Sequence, residues 1–522
     1  LSNGAIAELA SEAEHTKETK GKHSKLKKIL VPFCLSDVFE AQRYFSGFFD
    51  SRLNPVLDYD YGKSKASIRE RFCSSKAKSG RMRGSISGKR SDFSARAVAT
   101  CNNNIDPHEV GLPIAICKIL TQEEVVNRHN YHDLLARVQR GPDVYPGANY
   151  VRRGDETYRL PEFMDGLCMG DVVLRHLKKG DYVLLNRQPT LHRYSLMAYR
   201  VVPVHDKTIQ IHLSVTVALN ADFDGDELNV YTLFSLEALA EAVEIMAVNM
   251  NMFKDGSLIV GFVQHSALSL HMLTCKLITL SYTYMVQLLM AGNNDEYFNE
   301  CVSEMLPQVD MTGREFVKLL IPNYDGVSII TKSTINHMCG QMILSIWRRD
   351  ACRRIGFIVR VLQEYVLHAG SSMGIDDVIV QGCIPPGLHN TMDKVTDQMN
   401  SLMLQKDTEP VSMVKAIDAK YTELSDALRD ISGDFMTQEL RKRESSLLTI
   451  IESGAKGNAT HIVQNTATVG QQLDRLSARP NRLCSHSGSL STLEGYVKNS
   501  FIDGLSAIEF FHHVAVSRLG LV

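Results

Sequence analysis

Three carboxylates at alternate positions, Asp222, Asp224 and Asp226, interrupt an otherwise apolar or small-residue run, ALNADFDGDELNV from Ala218 to Val230. Residues at i, i+2 and i+4 share one side of a strand or converge around a tight loop, and like charges held that close raise the pKa of at least one member. Phe223, Leu228, Val230 and Tyr231 surround them with apolar side chains, where charge is costly unless a cation compensates. Gly225 lets the backbone come close to a ligand. A hard divalent cation takes oxygen ligands, and Mg²⁺ is held by a few carboxylates while keeping positions for substrate phosphates. An EF-hand starting at Asp222 is excluded, because its sixth and twelfth positions, which need Gly and Glu, hold Glu227 and Leu233. A sugar-nucleotide transferase loop and a solvated acidic turn share the pattern and stay open.

The surrounding sequence predicts where such a loop sits. From about Ile105 to Phe234 the segments are short, β-branched and aromatic, and turn residues separate them, as in VLLN and LMAYRVVPV. Period-two alternation from Gln210 to Val217 predicts a strand there, so the region reads as a barrel or compact β domain. LEALAEAVEIMAVNM, Leu236 to Met250, predicts a helix, and Leu268 to Gly374 is mostly helical. Apolar steps of three and four run through Val414, Ile417, Tyr421, Leu424, Leu428 and Ile431. Ser432-Gly433 then interrupts, and a second helix through Leu440, Leu447, Leu448 and Ile451 predicts a helical hairpin.

With 522 residues and 44% hydrophobic content, the chain has length for several domains. A formal net charge of -2 argues against wholesale polyanion binding, so any nucleic-acid contact needs a local patch. Lys63 to Arg96 supplies one, with eleven Lys or Arg against Glu70 and Asp92, and with Gly80, Gly84 and Gly88 interleaved. Such a tract is either a solvated, localisation-type segment or a surface whose amides and cations meet phosphates. Eleven cysteines without a CxxC pair read as reduced, mostly buried thiols of an intracellular protein. Neither an apolar run of about 18 residues nor a signal-peptide start is present, so no membrane role is expected. The start at Leu1 and the stop at Val522, inside an unfinished helical pattern, predict a fragment.

Just before the acidic run lies LLNRQPTLHRYSLMAYR. Arg187 beside Pro189 carries a planar fork suited to bidentate contact with ribose or phosphate oxygens, and equally suits a plain surface arginine. His192 reads as a packed histidine.

Six segments then occur in order: SGKRSDFSARAV, GPDVYPGANYV, LLNRQPTLHR, NADFDGDELN, GAKGNATHIVQNTATVGQQ and EGYVKNSFIDGLSAIEFFHH. Together they closely resemble the largest, active-site subunit of multisubunit DNA-directed RNA polymerases, from roughly residue 60 to the end. NRQP and DELN resemble the eukaryotic, archaeal and large-DNA-virus branch rather than the bacterial one.

The resemblance implies an α+β multidomain chain, a double-psi β-barrel active-site domain flanked by helical pore and funnel domains. It implies a clamp-side remnant at 1–60, a basic switch-like DNA-contacting segment at 61–104 and the barrel at 105–235. A pore domain at 236–390, a funnel hairpin at 391–480 and a cleft segment with the start of the bridge helix at 481–522 would follow. Asp222, Asp224 and Asp226 are then the catalytic Mg²⁺ ligands, holding one of the two ions used in nucleotidyl transfer. Arg187 and Asn220 address the ribose of the incoming nucleotide, and Lys456 lies near nucleotide entry. Arg81, Arg83, Lys89, Arg90 and Arg96 contact nucleic acid. Implied partners are the second-largest and smaller subunits, DNA template, RNA product and NTPs. The implied location is the nucleus for a cellular eukaryotic enzyme and the virus factory or virion for a viral one.

Two departures stand out. The family's zinc-binding clamp cysteines have no counterpart, so no zinc is expected, and Val516-Ser517 replaces a glycine pair in the last helix. The alternatives are an RNA-dependent RNA polymerase with a related barrel, which lacks the NRQPTLH and last-helix segments, and a non-catalytic nucleic-acid-binding scaffold.

Overall fold

The computed structural model describes residues 35–49, 68–73, 80–160, 166–346, 348–378, 386–408, 411–473 and 490–521. Much of the expected 1–60 segment, and Lys63, Lys65, Lys76 and Lys78 of the basic stripe, lie outside them. The chain divides into two units, Leu1–Asp92 and Phe93–Val522. In the first, the described elements are helices Leu35–Phe49 and Ile68–Cys73 and a wide helical turn, Met82–Ile86.

The second unit is mixed α+β. Six of its strands close into a barrel in the order β1 (Ser94–Cys101), β10 (Glu227–Tyr231), β7 (Tyr182–Asn186), β8 (Leu196–Val204), β2 (Glu109–Pro113) and β9 (Ile209–Ile211). Strand β1 changes partner midway: Ser94–Val98 pair antiparallel with β10, and Ala99–Cys101 pair parallel with β9. A second parallel pair joins β2 to β8. Alternation decides what faces in. On β10, Leu228 and Val230 are fully buried while Glu227 is exposed, and β7 buries Val183 and Leu185. These side chains meet Val110, Leu112, Met197, Tyr199, Val201 and Ile211 in one core.

Inserted between β2 and β7 is a four-stranded sheet of β3 (Thr121–Val125), β6 (Val172–His176), β4 (Ala148–Arg153) and β5 (Glu156–Arg159). Helix Tyr131–Arg140 adds Leu134 to its small core with Val151 and Val173.

The strand expected through Val217 stops at Ile211. A 3₁₀ turn, Leu213–Val215, and a short helix α1 (Thr216–Leu219) follow. His212 starts the turn by accepting the Ser214 N–H on Nδ1 at 3.1 Å, and Asn103 Oδ1 accepts the Leu213 N–H at 3.1 Å. Leu213, Ser214, Val215 and Thr216 are all buried, so the alternation in sequence does not correspond to two faces of a strand. Leu236–Met250 likewise divides into an α-helix, Leu236–Glu241, a wider π turn, Ala242–Met246, and a 3₁₀ turn, Val248–Met250.

Helices dominate beyond the barrel. α2 (His265–Cys275) and α3 (Arg348–Ala369) pack together, burying Leu270, Leu273, Ile355, Ile358 and Leu362 in the same core as the barrel. A hairpin does form, but not at Ser432-Gly433. α4 (Pro386–Thr408) packs on α5 (Val411–Lys442), which runs unbroken through both residues. Ser432 is fully buried, and a Cβ on Gly433 would meet Val463 Cγ2 at 3.4 Å. The small residues lie where α6 (Ala459–Thr466) packs against α5, and that packing carries the helix through a glycine that costs its interior roughly 1 kcal/mol. The last helix, α7 (Ala507–Leu521), starts at a capping box: Glu509 Oε2 accepts the Ser506 N–H at 2.9 Å, and Ser506 Oγ accepts the Glu509 N–H at 3.4 Å.

Candidate metal and nucleotide site

The acidic run lies between α1 and β10, held at both ends. Asn220 caps α1 in the left-handed conformation (φ 48°, ψ 45°), which Asn tolerates better than most residues, and it is exposed. At the other end the Asp226 carbonyl accepts the Ala99 N–H at 2.8 Å, tying the loop to β1. Gly225, at φ 122°, lies outside the range comfortable for a residue with a Cβ, and it folds the three aspartates toward one point. Asp222, Asp224 and Asp226 each offer a carboxylate oxygen within 4.8 Å of the others. Bonds of about 2.1 Å put opposite ligands of octahedral Mg²⁺ about 4.2 Å apart, so small side-chain rotations would fit the three to a hard divalent ion.

Arg187 enters from the loop after β7. Its Nε donates to Asp226 Oδ2 at 2.6 Å and its Nη2 to Oδ1 at 2.9 Å. The Asp222 N–H adds a second donor to Oδ2 at 2.9 Å. Asn186, buried at the end of β7, fixes this loop by donating to Thr190 Oγ1 at 2.8 Å and to the Ser195 carbonyl at 2.9 Å. His192 is half-buried, edge-on to Tyr194 and bonded to Ser195 Oγ.

The acids are not electrostatically equal. The Arg187 hydrogen bond holds the Asp226 carboxyl below the usual carboxylate range. Asp222 is pushed up, first by its hydrogen bond with Asp224 and then by slight burial and the neighbouring negative charges. Arg187, bonded to Asp226 and near the other two acids, is held more firmly charged than usual. Three carboxylates and one guanidinium leave a charge of about −2, which a divalent cation matches.

Of the residues expected in a site, the fold gathers Asp222, Asp224, Asp226 and Arg187 in one hydrogen-bonded group, with Asn220 two residues from Asp222. Arg96 lies on the β1–β10 pair, where its Nε donates to Glu227 Oε2 at 2.6 Å. Lys456 is exposed in the turn between helix Ser446–Glu452 and α6. Arg81, Lys89 and Arg90 are exposed in the first unit, and Arg83 lies in its Met82–Ile86 turn. Sequence reasoning passed over Glu227 and Asn186. Their one signal was adjacency, Glu227 following Asp226 and Asn186 preceding Arg187.

Two family models match: RNA polymerase Rpb1, domain 2, over residues 88–248, and RNA polymerase Rpb1, domain 4, over residues 389–502. The first spans the barrel, Arg187 and the acidic run, and the second spans most of α4 and all of α5 and α6. The chain belongs to the family of largest subunits of multisubunit RNA polymerases. It is 29% identical to the DNA-directed RNA polymerase subunit Rpo1N of Sulfolobus acidocaldarius, covering 94% of this chain and 62% of that one. Against DNA-directed RNA polymerase III subunit RPC1 of Saccharomyces cerevisiae, identity is 30% over 86% of this chain and 36% of the relative. Against DNA-directed RNA polymerase II subunit RPB1-B of Trypanosoma brucei brucei it is 31% over 88% and 28%. The chain thus spans less than two thirds of each of these relatives. Among the described residues, no helix is long and apolar enough to cross a membrane.

Proposed function

We propose that this chain carries the metal-binding face of a DNA-directed RNA polymerase active centre and takes part in Mg²⁺-dependent transfer of nucleotides from NTPs to the 3′ end of RNA on a DNA template. The observation that carries the reading is the convergence of three aspartates and one arginine fork beside a closed barrel, inside the region matched to domain 2. The barrel corresponds to a double-psi barrel, 236–390 to a pore domain, 391–480 to a funnel hairpin and 481–522 to a cleft segment with the start of the bridge helix. The 1–60 segment takes the clamp-side place and 61–104 the template-side place, except that Ser94–Cys101 within it is the barrel strand β1.

Asp222, Asp224 and Asp226 would hold one Mg²⁺, which when bound neutralises charge on the attacking 3′ oxygen and the α-phosphate. The protein's own part is positional. Ala99 and the Asn220 cap keep the loop from drifting, and Asn186 keeps Arg187 level with it. Arg187 and Asn220 border the acids where a ribose would lie, and a donor there can recognise the 2′-hydroxyl that separates RNA from DNA precursors. Lys456 would meet nucleotides on entry, and Arg81, Arg83, Lys89, Arg90 and Arg96 would meet phosphates. The second ion and the rest of the triphosphate site come from the nucleotide and from partner chains, foremost the second-largest subunit, since the relatives are named as subunits.

Asp224→Ala in an assembled complex tests this. Since loss of groups merely supporting a metal ligand costs about 10–100-fold, loss of the ligand itself should cut extension of a preformed RNA primer by more than about 100-fold. Duplex binding should be unchanged. Extension kept within a few-fold would remove the three aspartates from the chemistry.

A further inference from the structure

The Asp226 end of the acidic run is tied to β1 and to Arg187, while the Asp222 end continues from α1 and the turn before it. That turn is held from outside the barrel. The Leu213 N–H goes to Asn103 Oδ1 at 3.1 Å, and Asn103 Nδ2 donates in its turn to Gln363 Oε1 on α3 at 2.7 Å. Arg360, three residues earlier on α3 and only 8% exposed, donates through Nη1 to the Asn103 carbonyl and to Asp106 Oδ1, each at 3.3 Å, and through Nε to the Gly292 carbonyl at 2.8 Å. Gly356, Arg360 and Gln363 share one side of α3 by steps of four and three. A Cβ on Gly356 would come within 2.6 Å of Asp106 Oδ1, so no larger residue fits there unless that carboxylate moves.

From Leu213 the bonds run on toward the acids. Thr216 Oγ1 donates to the Leu213 carbonyl at 2.8 Å, the Ala221 N–H donates to the Thr216 carbonyl at 2.9 Å, and Asp222 is the next residue. Leu213 to Thr216 are buried in close-packed surroundings, so a shift at Leu213 is passed along and not absorbed.

We propose that Arg360 is a positioning residue for the metal site: by clamping the Asn103–Asp106 segment to α3 it fixes the turn at Leu213 and, through α1, the places of Asp222 and Asp224 relative to Asp226. This rests on the reading of the three aspartates as metal ligands, and adds a support for them on a helix more than 130 residues further along the chain. Mg²⁺ demands near-ideal octahedral geometry, so a small drift of Asp222 against Asp226 lowers affinity although every carboxylate is still present. Arg360 acts through Asn103 and Asp106.

The test is a Mn²⁺ titration of the 522-residue chain without nucleotide, following free Mn²⁺ by electron paramagnetic resonance, with the folded fraction of each variant measured by circular dichroism. Losing a group that orients a metal ligand costs about 10–100-fold in affinity, so Arg360→Gln should weaken Mn²⁺ binding by about tenfold, and Arg360→Lys should recover part of the loss. Asn103→Leu should weaken binding similarly. The double variant should lose less than the product of the two separate losses, since both break one connection. Leu362→Ala, on the side of the same helix buried in the core, should lower the urea midpoint and leave the affinity of the folded chain at the wild-type value. Asp224→Asn should lose most binding. Unchanged binding in Asp224→Asn removes the metal reading, and this proposal with it. Binding lost in Asp224→Asn while Arg360→Gln binds as tightly as wild type leaves the metal site standing and overturns the positioning role. A loss in Leu362→Ala as large as in Arg360→Gln also overturns it, because general loosening would then be what the ion feels, and so do fully multiplying losses in the double variant. If Arg360→Gln fails to fold, the half-buried Asn103→Leu compared with Leu362→Ala decides.

Discussion

Two arginine–carboxylate clusters on neighbouring parts of the second unit use the same chemistry to opposite ends. In the four-stranded sheet, Arg175 on β6 is buried and bonds Glu124 of β3 through Nε, Asp181 through Nη1 and Nη2 at 2.7 and 3.0 Å, and the His176 carbonyl at 3.1 Å. Lys178 lies 3.8 Å from Glu124 and its backbone N–H reaches Asp181 at 2.8 Å. Two acids face two cations, and the cluster is closed. Beside the barrel, Arg187 faces three acids and satisfies one. The first cluster has its counter-charge inside the chain, while the second is left needing a cation. A buried ion pair is poor evidence for function, whereas a charge deficit held in place by backbone anchors is better evidence.

The sharpest way to break this contrast is to remove each arginine. Arg175→Met leaves Asp181 without a side-chain cation and Glu124 with only Lys178, 3.8 Å away, in partly buried surroundings, and should cost about 3–5 kcal/mol of stability, read from urea unfolding, with Mn²⁺ affinity unchanged. A loss below about 1 kcal/mol would erase the distinction. Asp224→Asn should change the unfolding free energy little, within about 0.5 kcal/mol, since Asp224 is exposed.

At the open cluster, Arg187→Ala in an assembled complex should lower kcat/KM for ribonucleotides more than for deoxyribonucleotides. An unchanged ratio places sugar recognition elsewhere. Away from both clusters, neutralising Arg83 and Arg90 together should flatten the slope of log K against log salt for duplex binding by about 1 to 2 units. An unchanged slope would put the basic stripe in solvent.

A further effect concerns acid. Burial, with the charges of Lys118 and Arg137 adding to it, pushes the His176 imidazole down to about 4 from an ordinary 6.5. Its Nδ1 accepts the Gly147 N–H at 3.0 Å, so the neutral ring is the one that fits. The unfolded chain takes up that proton first, so stability falls as pH drops from 6.5 toward 4 and this contribution levels off below. His176→Gln should flatten that part of the pH–stability curve, and a curve of unchanged steepness would mean other groups carry it.

Local pattern carried part of this protein. The short β-branched segment VLLN and the helical steps from Val414 to Ile431 are properties of neighbouring residues, and both appear in the fold. The acidic run was legible because three like charges in an apolar setting need an explanation that local sequence cannot supply. Where burial is complete on all sides, pattern fails: Leu213 to Thr216 alternate in sequence yet turn helically, because every one of them is covered. Gly433 reads as a break from its propensity alone, and only the fold shows that α5 runs through it with Val463 of a second helix alongside.

The sequence by itself determined which groups are present: three carboxylates, a fork-shaped cation upstream and the alternating strands that carry them. Only the tertiary structure decided which acid Arg187 holds. Asp222, Asp224 and Asp226 are equivalent in spacing, and what separates them is burial and a partner 39 residues away in sequence, brought into reach because β7 and β10 pair side by side in the barrel.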